Sequence, residues 1–355
     1  MKKLYHSIVA ILFALALFSC NKSDLATNSR PDGVNLQKSK TQPPGNTPAN
    51  PAIAYASSVV SGNGVNKTRL QTIGVMDTTG ANQTNVYTAS MSSVNLWEPT
   101  WSPDGKSLSW LKQDIRYSGP SEIVVADISV NSSGVPVAGN MRTIATISGA
   151  PPDDFWIFDQ AWCSLAATAK IAFIVTWGSA GSSGGYSYLY TVSTSGGAWD
   201  LLASVYDTGD GFYSSPCWSP DDSKIAIIHH TSTWGGKILI FDNQTRTFTD
   251  SIPAPSGMTG YASTLAWSRS GMNTLACMAW NSTGGESLYY ITPPTNGTIP
   301  TTNGVNISRG GPSWSPNNSS LIYYDLGSLK KLLPFTSKVT TILSSFNGAW
   351  INWKR

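Results

Sequence analysis

The side chains that could do chemistry in this 355-residue chain gather in a few short segments. One is Asp153-Asp154-Phe155-Trp156. Another runs from Tyr206 to Tyr213 and places Asp207 and Asp210 among glycines. Trp97 stands alone, and Trp177, Trp234 and Trp280 lie at or inside other loops, with Tyr117 and Tyr186 nearby. Two carboxyl groups flanking a sugar linkage can cleave it, one protonating the leaving oxygen and the other acting as nucleophile or base. Aromatic rings on a wet surface with scattered acids suit a stacked sugar or the centre of a protein contact. Trp97, Trp156, Trp234, Asp153, Asp154, Asp207, Asp210 and Tyr213 are therefore the candidate binding residues. No catalytic residue is assigned.

Other reactive groups offer less. The chain has 3 histidines, and His6 sits in the N-terminal apolar segment. His229 and His230 adjoin at a strand end, where alternation points them to opposite faces and argues against a shared metal. No recognisable turn places a histidine beside a serine or cysteine, and no glycine-rich phosphate loop leads into a helix. Asp207 and Asp210 lack the ligand ladder of a calcium loop. Cys163, Cys217 and Cys277 fall in different segments and read as free thiols. No cofactor and no metal are called for.

The elements that carry these residues repeat. Glu98-Pro-Thr-Trp-Ser-Pro-Asp-Gly105 is echoed by Ser215-Pro-Cys-Trp-Ser-Pro-Asp-Asp222 and by Gly311-Pro-Ser-Trp-Ser-Pro-Asn-Asn318. Degraded copies surround Trp162 and Trp267, and a sixth, with Trp350 or Trp353 as its marker, closes the chain. Counting Trp101, Trp162, Trp218, Trp267, Trp314 and Trp350, the steps are 61, 56, 49, 47 and 36 residues. A unit of that size matches a four-stranded propeller blade. The turn after Trp101 has its own logic. Pro103 presets φ, Asp104 can bond the backbone, and Gly105 supplies φ > 0 where the hairpin returns. Runs rich in β-branched and aromatic residues follow, and no capped helical period interrupts them.

The two ends complement each other. Residues 52–88 supply three strands without an inner one, and residues 347–353 supply an inner strand without successors. Joined, they make a sixth blade and remove the exposed sheet edges of an open ring. The expected fold is an all-β, six-bladed β-propeller of four-stranded antiparallel blades over residues 52–355. The Trp-Ser-Pro-Asp-Gly turn and the segment Ile73-Gly-Val-Met-Asp-Thr-Thr-Gly-Ala-Asn82 resemble the WD40-like repeats of TolB-type propellers. That resemblance implies the fold over nearly the whole body and leaves chemistry open.

Residues 1–19 read as a signal peptide, with Lys2 and Lys3 before an apolar run from Ile8 to Phe18. Leu17-Phe18-Ser19-Cys20 resembles a bacterial lipobox, which implies lipidation at Cys20. Residues 20–51, poor in large apolar side chains, read as a flexible tether. Cys20-Asn21-Lys22-Ser23-Asp24 resembles the export signal of Bacteroidetes-type surface lipoproteins. Formal net charge is +3, and loss of Lys2 and Lys3 would leave +1, which gives no electrostatic case for nucleic acid. The expectation is a monomeric body anchored by lipid at the outer membrane, facing periplasm or cell surface. It would dock an envelope protein partner or a polysaccharide, with a carboxylate-dependent glycan hydrolase or lyase as the alternative. The residues favour binding over catalysis.

Overall fold

A computed structural model describes residues 50–354, apart from 62–67, 90–92, 115–118, 149–152, 180–184, 208–210, 231–235, 270, 282–285, 294–297 and 301–310. The expected signal peptide, Cys20 and nearly all of the expected tether lie outside the described residues, as do Asp210 and Trp234.

Twenty-four strands form six four-stranded antiparallel sheets. The first blade holds β1 (Ile53–Ser61), β2 (Thr68–Met76) and β3 (Thr84–Thr88). The second runs β4 (Val94–Trp101), β5 (Ser107–Asp114), β6 (Ser121–Val130) and β7 (Pro136–Ile147). The third runs β8 (Asp153–Trp162), β9 (Lys170–Ser179), β10 (Gly185–Ser193) and β11 (Asp200–Asp207). The fourth runs β12 (Tyr213–Trp218), β13 (Lys224–His230), β14 (Gly236–Asp242) and β15 (Thr247–Pro253). The fifth runs β16 (Gly260–Trp267), β17 (Leu275–Trp280), β18 (Glu286–Ile291) and β19 (Thr298–Pro300). The sixth runs β20 (Ser313–Trp314), β21 (Leu321–Asp325), β22 (Ser328–Leu332) and β23 (Val339–Leu343). The inner strand of the first blade is β24 (Gly348–Trp353), so its order is β24-β1-β2-β3. This is the expected closure, with Ile53 opposite Trp353 and Ser57 opposite Gly348.

The closing marker is Trp353. In three blades the marker's backbone N–H is held by the residue before the marker of the preceding blade. Trp101 donates to Asn352 Oδ1 at 3.0 Å, Trp267 to Cys217 Sγ at 2.9 Å, and Trp353 to Ser313 Oγ at 2.9 Å. Trp350 occupies a different place, three residues earlier, with φ 48°. All six markers are at most 5% exposed. A buried indole removes a large apolar surface from water at each seam between blades.

The marker turns follow the proline–aspartate logic. Ser102 Oγ donates to Asp104 Oδ1 at 2.7 Å, and that oxygen also accepts from the Lys106 backbone at 3.1 Å. The same pattern recurs around Asp221 and Asn317. The residue after each of them has positive φ: Gly105 at 65°, Asp222 at 59° and Asn318 at 57°. At Gly105 a Cβ would also meet the flexible Lys354 side chain, which would have to shift.

Inner strands share a second device. Register shifts interrupt β4 between Trp97 and Thr100, β8 between Ile157 and Asp159, and β12 between Ser214 and Cys217. Glu98 and Ser215 carry φ of 51° and 53° at these bulges. Each precedes a proline, Pro99 or Pro216. Proline is tolerated because an inner strand is a sheet edge and owes no ladder bond on its axial side.

Candidate functional site

The bulges in β4, β8 and β12 fall three residues before the markers Trp101, Trp162 and Trp218. They bring together side chains that are 61 and 56 residues apart in sequence. Glu98 in the second blade and Asp159 in the third are hydrogen-bonded through their carboxyl groups. Gln160 donates its backbone N–H to Glu98 Oε2 at 3.1 Å and its Nε2 to the Glu98 carbonyl at 2.9 Å. Asp159 Oδ2 accepts the Ser215 backbone N–H at 2.6 Å, reaching into the fourth blade. One polar chain thus links three blades. Asp159 is 5% exposed, and Glu98 is half-buried.

Two carboxyls in contact cannot both ionise cheaply away from water. Burial, followed by the charge and hydrogen bond of Asp159, raises Glu98 well above the usual carboxyl range. Burial also raises Asp159, and the hydrogen bonds from Glu98 and the Ser215 N–H offset part of that rise. Carboxyls that work across a glycosidic bond stand roughly 5–9.5 Å apart. A pair in direct contact leaves no room for a sugar between them.

A second pair lies in the fourth blade. Ser214 Oγ and His230 Nε2 are hydrogen-bonded at 2.8 Å across the β12–β13 hairpin, and the His230 ring stacks on Phe212 at 4.4 Å. No recognisable turn creates this pair, in keeping with the sequence reading. The contact is cross-strand and leaves no mark in local sequence. Burial, and then the neighbouring His229, pull His230 down to about 4. Ser214 is 0% exposed, so its hydroxyl is out of reach of a bulky substrate. His229 faces Tyr213 edge-on at 5.5 Å, in keeping with opposite faces for the two histidines.

The aromatic candidates divide. Tyr213 is 3% exposed, and burial pushes its hydroxyl up to about 12. Its ring packs against Phe248 and His229 inside the seam of the third and fourth blades, so it is a core residue and not part of a surface. Trp97 is half-buried against the apolar seam of the second and third blades. Trp156 is half-buried in β8 opposite Thr176. Asp153 and Asp154 open β8 opposite Ser179 and Gly178, and Asp207 ends β11 opposite Gly185.

The third blade carries a longer aromatic row than the loops alone indicated. Trp177 sits 6.0 Å from Phe155 and 5.2 Å from Tyr186, centroid to centroid. Tyr186, Tyr188 and Tyr190 follow on one face of β10 at 5.7 and 5.9 Å, and Trp199 ends the row 5.7 Å from Tyr190. All six rings are half-buried. The alternation Tyr-Ser-Tyr-Leu-Tyr in β10 is the signal that could have found the row, because period two places all three tyrosines on one side. Among the described residues no group of three or more His, Cys, Asp or Glu could hold a metal, and Cys163, Cys217 and Cys277 are free thiols. Cys217 is half-buried where Cys163 and Cys277 are fully buried.

Six four-stranded blades closed by strand exchange define this chain as a β-propeller. Within that class the fold is TolB-like. The crystal structure of TolB from Acinetobacter baumannii superposes with a TM-score of 0.56 at 14% identity, covering 87% of this chain and 67% of that one. A chain of the nidogen/laminin complex gives 0.51 at 11% identity, covering 85% and 98%. A functionally unknown protein from Desulfotomaculum acetoxidans gives 0.50 at 11%, covering 85% and 88%. No protein-family model and no curated protein matches the sequence. At these identities the likeness is one of fold.

Proposed function

We propose that this chain is a non-catalytic binding propeller of the cell envelope. It is held at a membrane by a lipid on Cys20 and docks a protein partner or an exposed polysaccharide through its loop-rich face. The observation that carries this reading is the half-buried aromatic row of the third blade. It begins at Phe155, Trp177 and Tyr186, at the end of the blade where β10 starts, and follows β10 to Trp199, just before β11. Tyrosine and tryptophan there offer large rigid contact areas with a polar edge, the chemistry of both sugar stacking and protein hot spots. The acids of the frame support the same reading, because Glu98 and Asp159 are engaged with each other and with backbone N–H groups.

The test is retention of ligands from a glycan array and from a solubilised envelope extract. The purified protein is compared with Trp177→Ala/Tyr188→Ala and with Trp156→Ala, each checked for an unchanged far-ultraviolet spectrum. Loss of at least about tenfold in retention by the double variant is expected for a hot-spot pair. Equal retention by parent and variants would remove the row from the binding surface. For the anchor, the mass of the mature N-terminus isolated from cells should include a lipid in the parent and lack it in Cys20→Ser. An unlipidated parent refutes the anchor.

A further inference from the structure

The fold does not require acids three residues before the marker. The sixth blade has Gly311 there and the first has Trp350. Only the second and third blades place carboxyls at this position, and those two meet. Each is held from outside the pair before anything arrives. Gln160 N–H fixes Glu98 Oε2, and Ser215 N–H fixes Asp159 Oδ2. A third oxygen belongs to the residue that holds Glu98. Gln160 is 7% exposed, and the amide whose Nε2 rests on the Glu98 carbonyl leaves its Oε1 buried without a partner. An amide oxygen deprived of water and given no donor calls for an electrophile.

We propose that Glu98, Asp159 and Gln160 form a site for a hard divalent cation of the Ca²⁺ class. The donors are all oxygen, from two carboxylates and an amide, which selects calcium or magnesium over the softer transition metals. Calcium takes 6–8 oxygens in flexible geometry, so water completes the shell, and the half-buried Glu98 provides the way in. The metal would bridge the second and third blades, and through the Ser215 N–H the fourth.

Calorimetric titration of the purified protein with CaCl2, with MgCl2 in parallel, tests the site. Melting is also compared in EDTA and in Ca²⁺. A melting temperature higher by about 4 °C is expected at a hundredfold excess over Kd. The increment should vanish in Glu98→Gln and in Asp159→Asn, which keep shape and hydrogen bonding but not charge. The comparison in EDTA and in Ca²⁺ uses the parent alone and stands even where a variant fails to fold. Identical melting in EDTA and Ca²⁺, or an increment that survives in both variants, would overturn the proposal.

Discussion

The seam running from the second blade to the fourth and the seam between the fifth and sixth solve one packing problem with different chemistry. In the former, Glu98, Asp159 and the Ser215 N–H form a polar chain, and the Trp162 indole donates to Ser109 Oγ at 2.6 Å. In the latter, Ala276, Met278, Tyr290, Trp314, Leu321 and Tyr323 form an apolar cluster, and the Trp314 indole donates to the Ala266 carbonyl at 3.0 Å. The turn after the marker shows the same divergence. Asp222 accepts from the backbone of Ser164, from that of Leu165 at 3.0 Å, and from Thr168 Oγ1 at 2.5 Å, all in the third blade. Asn318, at the same turn position with nearly the same φ, bonds the backbone of Arg269 in the fifth blade as both acceptor and donor. The backbone conformation is what the repeat conserves. The charge placed on it belongs to particular blades, so its cause is to be sought outside the requirements of the ring.

The comparison breaks most visibly at the apolar seam. Trp314→Ala removes an indole 1% exposed and is expected to cost about 4 kcal/mol, since a large aromatic side chain leaves a cavity that the surrounding blades can only partly fill. A fall in the urea midpoint at unchanged slope would report it. A cost under about 1 kcal/mol would mean that this seam depends on its polar contacts as the other does.

Next in size is an acid limb confined to the polar side of the ring. The folded state holds His230 at about 4 against an ordinary value of 6.5. Its neutral form is therefore favoured by folding, and this contribution is complete above pH 6.5 and lost as pH falls toward 4. The loss is about 3 kcal/mol at most, by the worth of a pKa unit. Stability should fall more steeply between pH 7 and 4 in the parent than in His230→Gln. Equal slopes in the two proteins remove the effect. Glu98 acts with the opposite sign. Its raised value makes its contribution complete below the ordinary carboxyl range and lost as pH rises, so the His230 effect is read from the difference between parent and variant.

The smallest change makes one seam imitate the other. Asp222→Asn gives the turn of the fourth blade the chemistry of Asn318 and weakens the charge-assisted bonds from Ser164, Leu165 and Thr168. About 1 kcal/mol is expected. The converse, Asn318→Asp, gains nothing comparable, because the Arg269 carbonyl loses its donor. Equal effects in the two directions would deny that the neighbours, and not the turn, decide the residue.

The ring was legible because its signals are local. Trp-Ser-Pro-Asp or Trp-Ser-Pro-Asn announces three inner hairpins, Asp77 to Gly80 announces an outer one, and the unmatched strands at the two ends announce closure. The closing marker was open between Trp350 and Trp353, because both tryptophans fit the pattern and only the bond from Trp353 to Ser313, a blade away, separates them. The Glu98–Asp159 pair was hidden for a related reason. It needs two bulges that turn side chains out of strict alternation, and partners 61 residues apart. Its one visible trace was that both acids stand three residues before a marker. Tyr213 was misread as a surface residue because it follows a glycine-containing loop. Its place in β12 turns the ring inward onto Phe248.

Ring closure also decides how the molecule bears force. β1 lies between β24 and β2, with nine residue pairs on one side and the chain's last strand on the other. The chain leaves this blade at Ala52, whose N–H bonds Met76 and whose carbonyl accepts from Lys354. A pull on the residues before Asn50 is directed along β1. It strains two ladders in shear at once, where a pull across an outer strand would open its bonds singly. The load path enters through an interior strand, so the blade that closes the ring is also the one built to resist being drawn out of it.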